Sequence, residues 1–355
     1  MIKQIIVLKE TREGESRVAL TPKEVLSVSK NQRVLVESQA GTLAGFKDLD
    51  YIKAGAEIFS ITSRGFPADS LILRVKRASE AQELLENRLF QENTFMIGFL
   101  DPLDPLIKNG YDHVAHWQAA GITTFSLDLP KLSINDPRNA QAAMSRIAGR
   151  LAFNDALKHY QGKQSIKVTV IGTGPAAFSA AFEAKKHGAP VQIFGRKELY
   201  RAELESAGMI YHVLPEGSNQ VKFIKSYLNQ ENIVITAVRE PGKKSPVLID
   251  KDSLCALPEN AVIIDLATGE GGNVVGSKKD HTVRMANGIL VVNVSGYPKA
   301  EPQKASEEYA NCVFNLLKDV LSPSGEILFA HELLTECWVT HQGQRNYNAN
   351  GSNLL

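Results

Sequence analysis

Cysteine is scarce in this sequence, and its spacing argues against two kinds of site. The 355 residues include three cysteines, Cys255, Cys312 and Cys337. An odd number of widely spaced cysteines does not suit a disulfide framework, and no Cys-x-x-Cys pair is present to begin a zinc or redox motif. We therefore expect three buried thiols in a reducing cytoplasm.

Net charge and long apolar runs are also missing. Lys and Arg total 40 against 39 acidic residues, a net charge of +1, so no overall field draws the chain to nucleic acid or to an anionic membrane. The sequence has no uninterrupted apolar run of about 18 residues, and its N-terminus, MIKQIIVLKE, lacks the apolar core of a signal peptide. These absences predict a cytoplasmic protein that binds no nucleic acid and meets a membrane only through partners.

Two histidines, His113 and His116, lie one helical turn apart in the stretch DHVAHW. That spacing suits zinc, but no Cys or Glu partner follows at a recognised spacing. We expect both histidines on a helix surface and no metal site.

The chain is long enough for two domains, because single cores stop growing at roughly 250 to 300 residues. Short apolar runs alternate with stretches that can hold helices, in two successive series, and this pattern predicts mostly parallel sheets covered by helices. The predicted strands are 5–8, 34–36, 71–75, 95–100 and 122–127 in the first series, and 168–171, 191–194, 233–238, 262–266 and 289–294 in the second.

Two amphipathic helices are predicted, one before and one after the second series of strands. Residues 139–160 carry Met144, Ile147 and Leu151 at helical spacing, and residues 307–321 show a similar pattern. The second helix can return the chain to the first domain.

The fold prediction is α/β with two domains. Residues 1–138 and 305–355 form a flavodoxin- or Rossmann-like substrate domain from both chain ends. Residues 139–304, including the linking helix, form a Rossmann-type doubly wound parallel sheet. The tail from residue 342 to 355 is polar and turn-rich, so we expect it to fray.

The strongest local motif is VTVIGTGPAAFSAAF, a Gly-x-Gly-x-x-Ala turn between a β-branched strand and an Ala-rich helix. Gly172 permits the tight turn, Gly174 lets backbone approach a pyrophosphate, and Ala177 lets the helix pack on the sheet. The helix begins at Pro175 and Ala176, and the free N–H groups that follow the proline in its first turn point at phosphates. The motif predicts a nicotinamide dinucleotide site, and the alternative is a purely structural turn.

The next strand ends in VQIFGRKELY, where a dinucleotide site usually has an acid that binds the adenosine ribose. Gly195 stands at that position and leaves a 2′-phosphate unopposed, while Arg196 and Lys197 can grip the phosphate. The residues favour NADP(H), and the alternative is that the two cations merely begin a solvated helix. The predicted cofactor site is completed by Ala237, Val238, Ala267 and Asn293.

Five stretches in order resemble the alanine dehydrogenase and pyridine nucleotide transhydrogenase family. They are KETREGESRVALTP, LRVK, SRIAGR, the glycine turn and IIDLATGEGGN. Two further stretches, FLDPLDP and NGILVVNVSGYP, are more similar to the soluble part of the transhydrogenase alpha subunit than to alanine dehydrogenase. The resemblance implies hydride transfer in an interdomain cleft, two long connecting helices, homodimers, and NAD(H) as the nucleotide of the transhydrogenase branch.

The resemblance also implies a substrate site. Arg17 matches the arginine that holds the substrate carboxylate in alanine dehydrogenases, a task that suits the guanidinium fork. Lys76 matches the lysine that contacts the substrate carbonyl oxygen, where an ammonium can polarise a carbonyl or take part in proton transfer. The alternatives are a surface salt bridge from Arg17 to Glu13 or Glu15, and a solvated strand end at Lys76.

The sequence departs from both branches of the family. Asp101 stands in place of the catalytic histidine of alanine dehydrogenases, and an ordinary Asp with a pKa of about 4 is poorly matched to proton transfer at neutral pH. The acid of the nucleotide loop is replaced by Gly269, with Glu270 as a substitute. The Arg, Gln and Asp that meet the nicotinamide ring in transhydrogenases are replaced by Lys131, Asp136 and Asn139.

We therefore predict an NAD(P)-dependent oxidoreductase that resembles the transhydrogenase alpha subunit, with Lys76, Asp101 and Glu270 as catalytic residues. In that case membrane-bound partner subunits are required. The alternative is a soluble dehydrogenase of a small amino, imino or 2-oxo acid, of the alanine dehydrogenase or saccharopine/opine type, in which Arg17 and Lys76 hold the acid. A third option is a nucleotide-binding protein without catalysis.

Overall fold

Two compact units make up the protein, seen here in a computed structural model that describes residues 1–61, 65–102, 112–162, 164–239, 244–267, 271–285 and 287–346. Unit 1 contains Met1–Met144 and Lys299–Leu355, and unit 2 contains Ser145–Pro298. The sequence places the boundaries at 138/139 and 304/305, a few residues away from this division.

Unit 1 is built on an eight-stranded sheet in the order β15-β14-β6-β5-β4-β1-β2-β3. Strands β1 to β6 pair in parallel, whereas β14 and β15 are added antiparallel at one edge. The strands are β1 (Gln4–Val7), β2 (Arg33–Glu37), β3 (Glu57–Phe59), β4 (Ser70–Lys76), β5 (Phe95–Phe99), β6 (Thr123–Ser126), β14 (Trp338–His341) and β15 (Gln344–Arg345).

Helices cover this sheet, and one returns from the C-terminal part of the chain. The helices of unit 1 are α1 (Pro22–Val28), α2 (Asp48–Lys53), α3 (Glu80–Glu86), α4 (His113–Ala119), α10 (Pro302–Val320) and α11 (Glu332–Cys337). The predicted amphipathic face of α10 buries Tyr309, Val313 and Leu316. The Tyr309 hydroxyl donates to the Arg74 carbonyl oxygen at 2.8 Å, which fastens the returning helix to β4.

Unit 2 has a seven-stranded sheet in the order β12-β13-β11-β10-β7-β8-β9, parallel except for β12. Its strands are β7 (Val168–Ile171), β8 (Val191–Gly195), β9 (Ile210–Val213), β10 (Ile233–Thr236), β11 (Val262–Asp265), β12 (Thr282–Arg284) and β13 (Leu290–Val292). Its helices are α6 (Pro175–Lys186), α7 (Arg201–Ser206), α8 (Gln220–Lys225) and α9 (Lys251–Ala256), while α5 (Ala140–His159) starts in unit 1 and continues into unit 2.

The central strands explain why both sheets are parallel. Strands β1, β7 and β10 are buried along their whole length, and runs buried on both faces suit a parallel sheet with helices on each side. In each sheet the strand order reverses at one point, between β1 and β4 in unit 1 and between β7 and β10 in unit 2. Ligands of open α/β sheets bind in the crevice at the carboxyl ends of such a strand pair.

The structure corrects the prediction for the tail. Gln344–Arg345 form β15 rather than fraying, and Asn346 is buried with its side chain donating to the Trp338 carbonyl oxygen at 2.9 Å. Gln342 and Gly343 have φ of 48° and 73°, so they make a tight hairpin turn that needs two left-handed residues. Gln-Gly lacks the Asn-Gly or Asp-Gly signature of such turns. Residues 347–355 lie outside the described residues.

The cysteine prediction is wrong for one residue. Cys255 is exposed on α9, a helix of six residues, whereas Cys312 and Cys337 are buried as expected. Within the described part of the chain, every helix is too short or too polar to cross a bilayer.

Helices α5 and α6 meet through very small residues. A Cβ added at Gly149 of α5 would lie 1.9 Å from the Ala176 carbonyl oxygen of α6. The contact atom is backbone, so it cannot rotate away as a side chain does. The close approach of the two helices therefore depends on a glycine at position 149.

Replacing Gly149 with Ala should destabilise the protein by about 1–3 kcal/mol, the usual range for overpacking. In an ordinary helix the same change stabilises by about 0.5–1 kcal/mol. The sign of the change in the free energy of unfolding therefore distinguishes the two cases. Urea unfolding followed by circular dichroism measures it, with Lys158→Ala on the exposed side of α5 as the control. A Gly149→Ala variant as stable as the wild type would contradict the helix contact.

Candidate active site

The glycine turn after β7 leads directly into α6. Gly172 has a φ of +128°, a backbone conformation that favours glycine, and an added Cβ would lie 2.9 Å from the Ala237 carbonyl oxygen. A Cβ at Gly174 would meet nothing within 4 Å. Packing therefore requires glycine at 172, whereas the space beside Gly174 is open to a ligand such as a pyrophosphate.

The start of α6 has the features of an anion site. The helix spans 12 residues, with Gly174 as its N-cap and Pro175 at its first position, where a missing N–H costs nothing. Ala176 is partly exposed beside the turn, and Ala177 is fully buried in the core. The first-turn N–H groups of such a helix attract a phosphate, so these residues suit the predicted nucleotide.

The carboxyl ends of β10 and β11 lie at the same edge of the sheet and are held by two buried polar side chains. Asn273 accepts a hydrogen bond from the Val238 N–H at 3.0 Å and donates to the Val238 carbonyl oxygen at 2.9 Å. Asp265 accepts from the N–H groups of Ala267 at 3.1 Å and Asn273 at 3.0 Å. Val238 and Ala267 are thus linked through Asn273 and Asp265. The Ala237 N–H donates to the Ile171 carbonyl oxygen at 2.9 Å, directly before the glycine turn.

Two further residues are predicted at this site, Asn293 as a cofactor contact and Glu270 as a catalytic residue. Asn293 is 2% exposed, and its amide accepts from the Asp280 N–H at 3.2 Å and donates to Ser277 Oγ at 3.3 Å. It supports the loop before β12. Glu270 lies outside the described residues, so its catalytic role stays a prediction.

The end of β8 lies against the glycine turn. The Gly172 N–H donates to the Phe194 carbonyl oxygen at 2.8 Å, so the strand end and the turn are hydrogen-bonded neighbours. Gly195 is buried at the last position of β8, while Arg196 and Lys197 are exposed. The structure therefore brings the two cations to the edge of the sheet where the predicted nucleotide binds.

Lys76, Asp101 and Arg12 form an ion-pair cluster at the carboxyl ends of β4, β5 and β1. Lys76 Nζ lies 3.0 Å from Asp101 Oδ1, and Arg12 Nη1 lies 2.9 Å from Asp101 Oδ2. The three side chains are 23% to 30% exposed. Burial raises the pKa of Asp101, but the Lys76 and Arg12 charges outweigh burial and hold that pKa below its usual range. Asp101 is therefore an anion that two cations share.

A second carboxyl group, that of Asp128, is hydrogen-bonded to the backbone of Asp101. Its Oδ2 atom accepts from the Asp101 N–H at 2.9 Å and from Ser126 Oγ at 2.7 Å. Burial raises the pKa of Asp128, although the Lys76 charge opposes the rise. Two neighbouring carboxyl groups thus have pKa values pushed in opposite directions, which is typical of acid–base sites.

Glu10 connects the ends of β1 and β4. Its carboxylate accepts from the N–H groups of Val75 at 2.6 Å and Lys76 at 3.1 Å. Burial raises the pKa of Glu10 to about 7, against the opposing charge of Arg74. A carboxyl group with a pKa near neutrality is suited to proton transfer.

Arg17 is paired rather than open. Its Nε and Nη2 atoms each lie 2.6 Å from an oxygen of Glu15, and the two side chains are 5% and 0% exposed. The remaining Nη1 atom lies 3.2 Å from Met144 Sδ. Burial raises the pKa of Glu15, but its hydrogen bonds to Arg17 outweigh burial, so the pKa is lowered. The fork predicted to hold a substrate already holds a carboxylate of the protein.

Sequence reasoning missed Glu10, Arg12 and Asp128. The first two lie within KETREGESRVALTP directly after β1, and Asp128 follows β6. Their common signal is a charged residue just beyond the carboxyl end of a parallel strand, the usual place for function in this class of sheet. The signal becomes specific only when the strand order is known.

Comparison with protein families decides the assignment. Residues 6–148 match the alanine dehydrogenase/PNT N-terminal domain, and residues 153–348 match the alanine dehydrogenase/PNT C-terminal domain. The chain belongs to the alanine dehydrogenase/PNT family. Members of this family are NAD(P)-dependent oxidoreductases. The family predicted from the sequence is thereby confirmed.

Relatives from both branches of the family are similar over most of the chain. The first portion of the NAD(P) transhydrogenase alpha subunit of Rickettsia prowazekii is 26% identical, over 96% of this chain and 95% of the relative. An alanine dehydrogenase of Staphylococcus epidermidis is 28% identical, over 85% of this chain and 83% of the relative.

Two solved structures share the fold. A transhydrogenase from Sinorhizobium meliloti has a TM-score of 0.85 at 24% identity, covering 96% of this chain and 99% of its own. An L-alanine dehydrogenase has a TM-score of 0.79 at 23% identity, covering 98% of each chain. The predicted fold of two mostly parallel α/β units is confirmed.

Two of the three replaced positions of the transhydrogenase branch serve local structure through their side chains in this member of the alanine dehydrogenase/PNT family. Asn139 accepts from the Ala142 N–H at 2.8 Å at the start of α5. Asp136 forms an ion pair with Arg138 at 2.7 Å. The Lys131 N–H lies 3.3 Å from Glu336 Oε2. The Asn139 and Asp136 side chains are thus engaged with neighbours in the chain.

The prediction of two surface histidines is wrong for His113. It is 3% exposed, and its ring packs edge-on against Trp117 with centroids 4.9 Å apart. Burial, followed by the Arg77 charge, lowers the pKa of His113 to about 4. His113 is a core residue at the start of α4.

Glu10 should titrate near pH 7 in the folded protein. Because folded Glu10 keeps its proton to higher pH than the unfolded chain, the folded state binds more protons between about pH 4.5 and 7. Its contribution to stability therefore falls as pH rises through that window and is constant above it. Carboxyl ¹³C NMR measures the midpoint, with Glu10→Gln for assignment and exposed Glu57 as the control. A Glu10 midpoint near that of Glu57 would contradict the structure.

Proposed function

We propose that this protein transfers hydride between a nicotinamide dinucleotide and a small carboxylic acid that bears a 2-oxo, imino or amino group. The glycine turn of unit 2 binds the nucleotide, and the Arg12, Lys76 and Asp101 cluster of unit 1 binds the acid. The observation that carries the proposal is the convergence of two partly exposed cations on one carboxylate at the β1–β4 crevice. A substrate carboxylate can take a share of the same two cations.

The cluster supplies the groups that such a reaction needs. Arg12 and Lys76 bind the carboxylate, and the Lys76 ammonium polarises the carbonyl or imine. NAD(P)H, when bound at the glycine turn, would supply the hydride to the carbonyl or imine carbon, and the oxygen or nitrogen would take up a proton. Asp101, with its lowered pKa, stays charged and pairs with the Lys76 ammonium group. Glu10, with a pKa of about 7, is matched to proton exchange at neutral pH.

Exchange of hydride between two nucleotides is the second candidate. It is favoured by the similarity to the Rickettsia transhydrogenase subunit over 96% of the chain. This candidate requires a second nucleotide-binding component and a membrane component. Against it, Asp136 and Asn139 are engaged by their own chain, and we propose that such exchange is weak.

Nicotinamide absorbance should change when the protein is given NADPH or NADH and a 2-oxo acid, with or without an amine. Lys76→Met should lower kcat/KM by about 10²- to 10⁴-fold, the usual contribution of a proton-transfer or polarising group. Lys53→Met, at an exposed position on α2, is the matched control.

Exchange between NADH and an NADP analogue, seen with a competent partner component and without turnover of any acid, would overturn the first candidate in favour of the second. Tight nucleotide binding with neither reaction would indicate a binding protein without catalysis.

We also propose that NADP(H) is the preferred nucleotide. Gly195 removes the carboxylate that repels a 2′-phosphate, and exposed Arg196 and Lys197 follow it directly. The transhydrogenase branch that the sequence resembles uses NAD(H), so the family and these residues point in different directions. We give the residues more weight, because the change removes repulsion and adds two cations.

NADPH should bind more tightly than NADH by about 1–3 kcal/mol, the value of charge-assisted hydrogen bonds. Calorimetric titration measures both affinities. Arg196→Ala should remove most of the difference, while Lys186→Ala, at the far end of α6 from the glycine turn, should leave it intact. Equal affinities in the wild type, or an NADPH affinity that survives Arg196→Ala, would refute the preference.

We propose a homodimer, as the family resemblance implies, and a cytoplasmic location, as the few widely spaced cysteines indicate. Membrane-bound partner subunits belong only to the second candidate. Both statements stay predictions.

A further inference from the structure

At Gly195, neighbouring side chains limit which residue fits, and the backbone conformation does not. A Cβ at this position would lie 2.3 Å from Thr173 Cγ2, 2.5 Å from the Tyr211 hydroxyl oxygen and 3.2 Å from Tyr211 Cε2. Gly195 is not among the glycines with positive φ, so any residue suits its backbone. Space alone excludes a side chain here, and Tyr211 takes up much of that space.

Tyr211 is held firmly in place. It is the second residue of β9, pairs with Ile193 of β8, and is 2% exposed in the core of unit 2. The guanidinium of Arg201 lies over its ring at 5.7 Å, and Arg201 Nη1 donates to the Tyr211 carbonyl oxygen at 3.0 Å. The ring therefore cannot move aside cheaply to admit a side chain at position 195.

The hydroxyl of Tyr211 is hydrogen-bonded to the segment that follows Gly195. It donates to the Lys197 carbonyl oxygen at 2.8 Å, two residues beyond Gly195. Burial raises the pKa of Tyr211, so the hydroxyl keeps its proton and remains a donor at neutral pH. This bond fixes the backbone that carries Arg196 and Lys197, the two cations expected to meet a 2′-phosphate.

We infer that Tyr211 is a specificity-determining residue of the nucleotide site. Its hydroxyl group and ring, together with Thr173, leave no room for an acid at position 195, and its hydroxyl bond positions the Arg196–Lys197 segment. The inference rests on the proposed preference for NADP(H). It assigns the preference to a residue on the neighbouring strand, and not to the glycine and the two cations alone.

An ordinary core role for Tyr211 predicts something different. A core tyrosine contributes through its ring, so Tyr211→Phe would leave nucleotide affinities unchanged. Under our inference the hydroxyl matters, since its loss releases the Lys197 carbonyl and loosens the segment that holds the cations.

The first test is calorimetric titration of NADPH and NADH with the wild type, Tyr211→Phe, and Tyr227→Phe as a matched control. Tyr211→Phe should weaken NADPH binding by about 3- to 10-fold, the worth of one hydrogen bond, and leave NADH binding unchanged. Tyr227→Phe should change neither. Equal loss for both nucleotides, or no loss for either, would overturn the positioning role.

The second test introduces the acid that the site lacks. Gly195→Asp alone should lower the melting temperature without improving NADH binding, because the carboxylate has no room. Adding Thr173→Ser and Tyr211→Leu opens the space, so the triple variant should regain stability relative to Gly195→Asp and bind NADH more tightly than NADPH. A Gly195→Asp protein as stable as the wild type that prefers NADH would overturn the steric role.

The two tests distinguish the role of Tyr211 from the proposed preference for NADP(H). If the wild type itself binds NADH more tightly than NADPH, the proposed nucleotide preference fails, whereas the stability of Gly195→Asp still reports on the steric role of Tyr211. If the wild type prefers NADPH and Tyr211→Phe has no effect, the preference stands and the positioning role fails.

Discussion

Parallel pairing at the two points of reversal, β1 with β4 and β7 with β10, is the constraint on which both candidate sites depend. A parallel pair brings both carboxyl ends to one edge, and the two connections leave that edge in opposite directions. Glu10, Lys76 and Asp101 are far apart in sequence but meet at such an edge. The glycine turn and Ala237 meet at the other in the same way.

Burial and pairing compete at the unit 1 crevice, and their balance differs from one carboxyl group to the next. Asp101 has two cations within 3.0 Å, and they outweigh its desolvation. Glu10 accepts from two backbone N–H groups and is opposed by the charge of Arg74, but its desolvation outweighs both and raises its pKa. One small region thus holds both a stable anion and a group near neutrality, which is the division of labour that acid–base chemistry uses.

Sequence alone predicts the elements whose pattern is strong. The fully buried strand β7 is predicted at residues 168–171 and observed there, and α5 differs from its predicted range by one residue at each end. Short edge strands such as β3 and β15 are not predicted, because a run of three or two residues shows no periodicity. At the site, Lys76 and Asp101 are identified through the family resemblance, but their ion pair is not, since it depends on the strand order. The Glu15 partner of Arg17 is anticipated, and its complete burial is not.

The returning helix α10 and the strand pair β14–β15 have a consequence for how the protein is made. Unit 2 is one continuous stretch ending at Pro298, whereas unit 1 needs residues from both ends of the chain. On the ribosome, where domains generally fold as units as they emerge, unit 2 is complete first. Until β14 is synthesised, β6 is an open sheet edge of the kind that invites aggregation, and Arg74 lacks the Tyr309 hydroxyl. The N-terminal half of the chain therefore stays unfinished throughout the synthesis of unit 2.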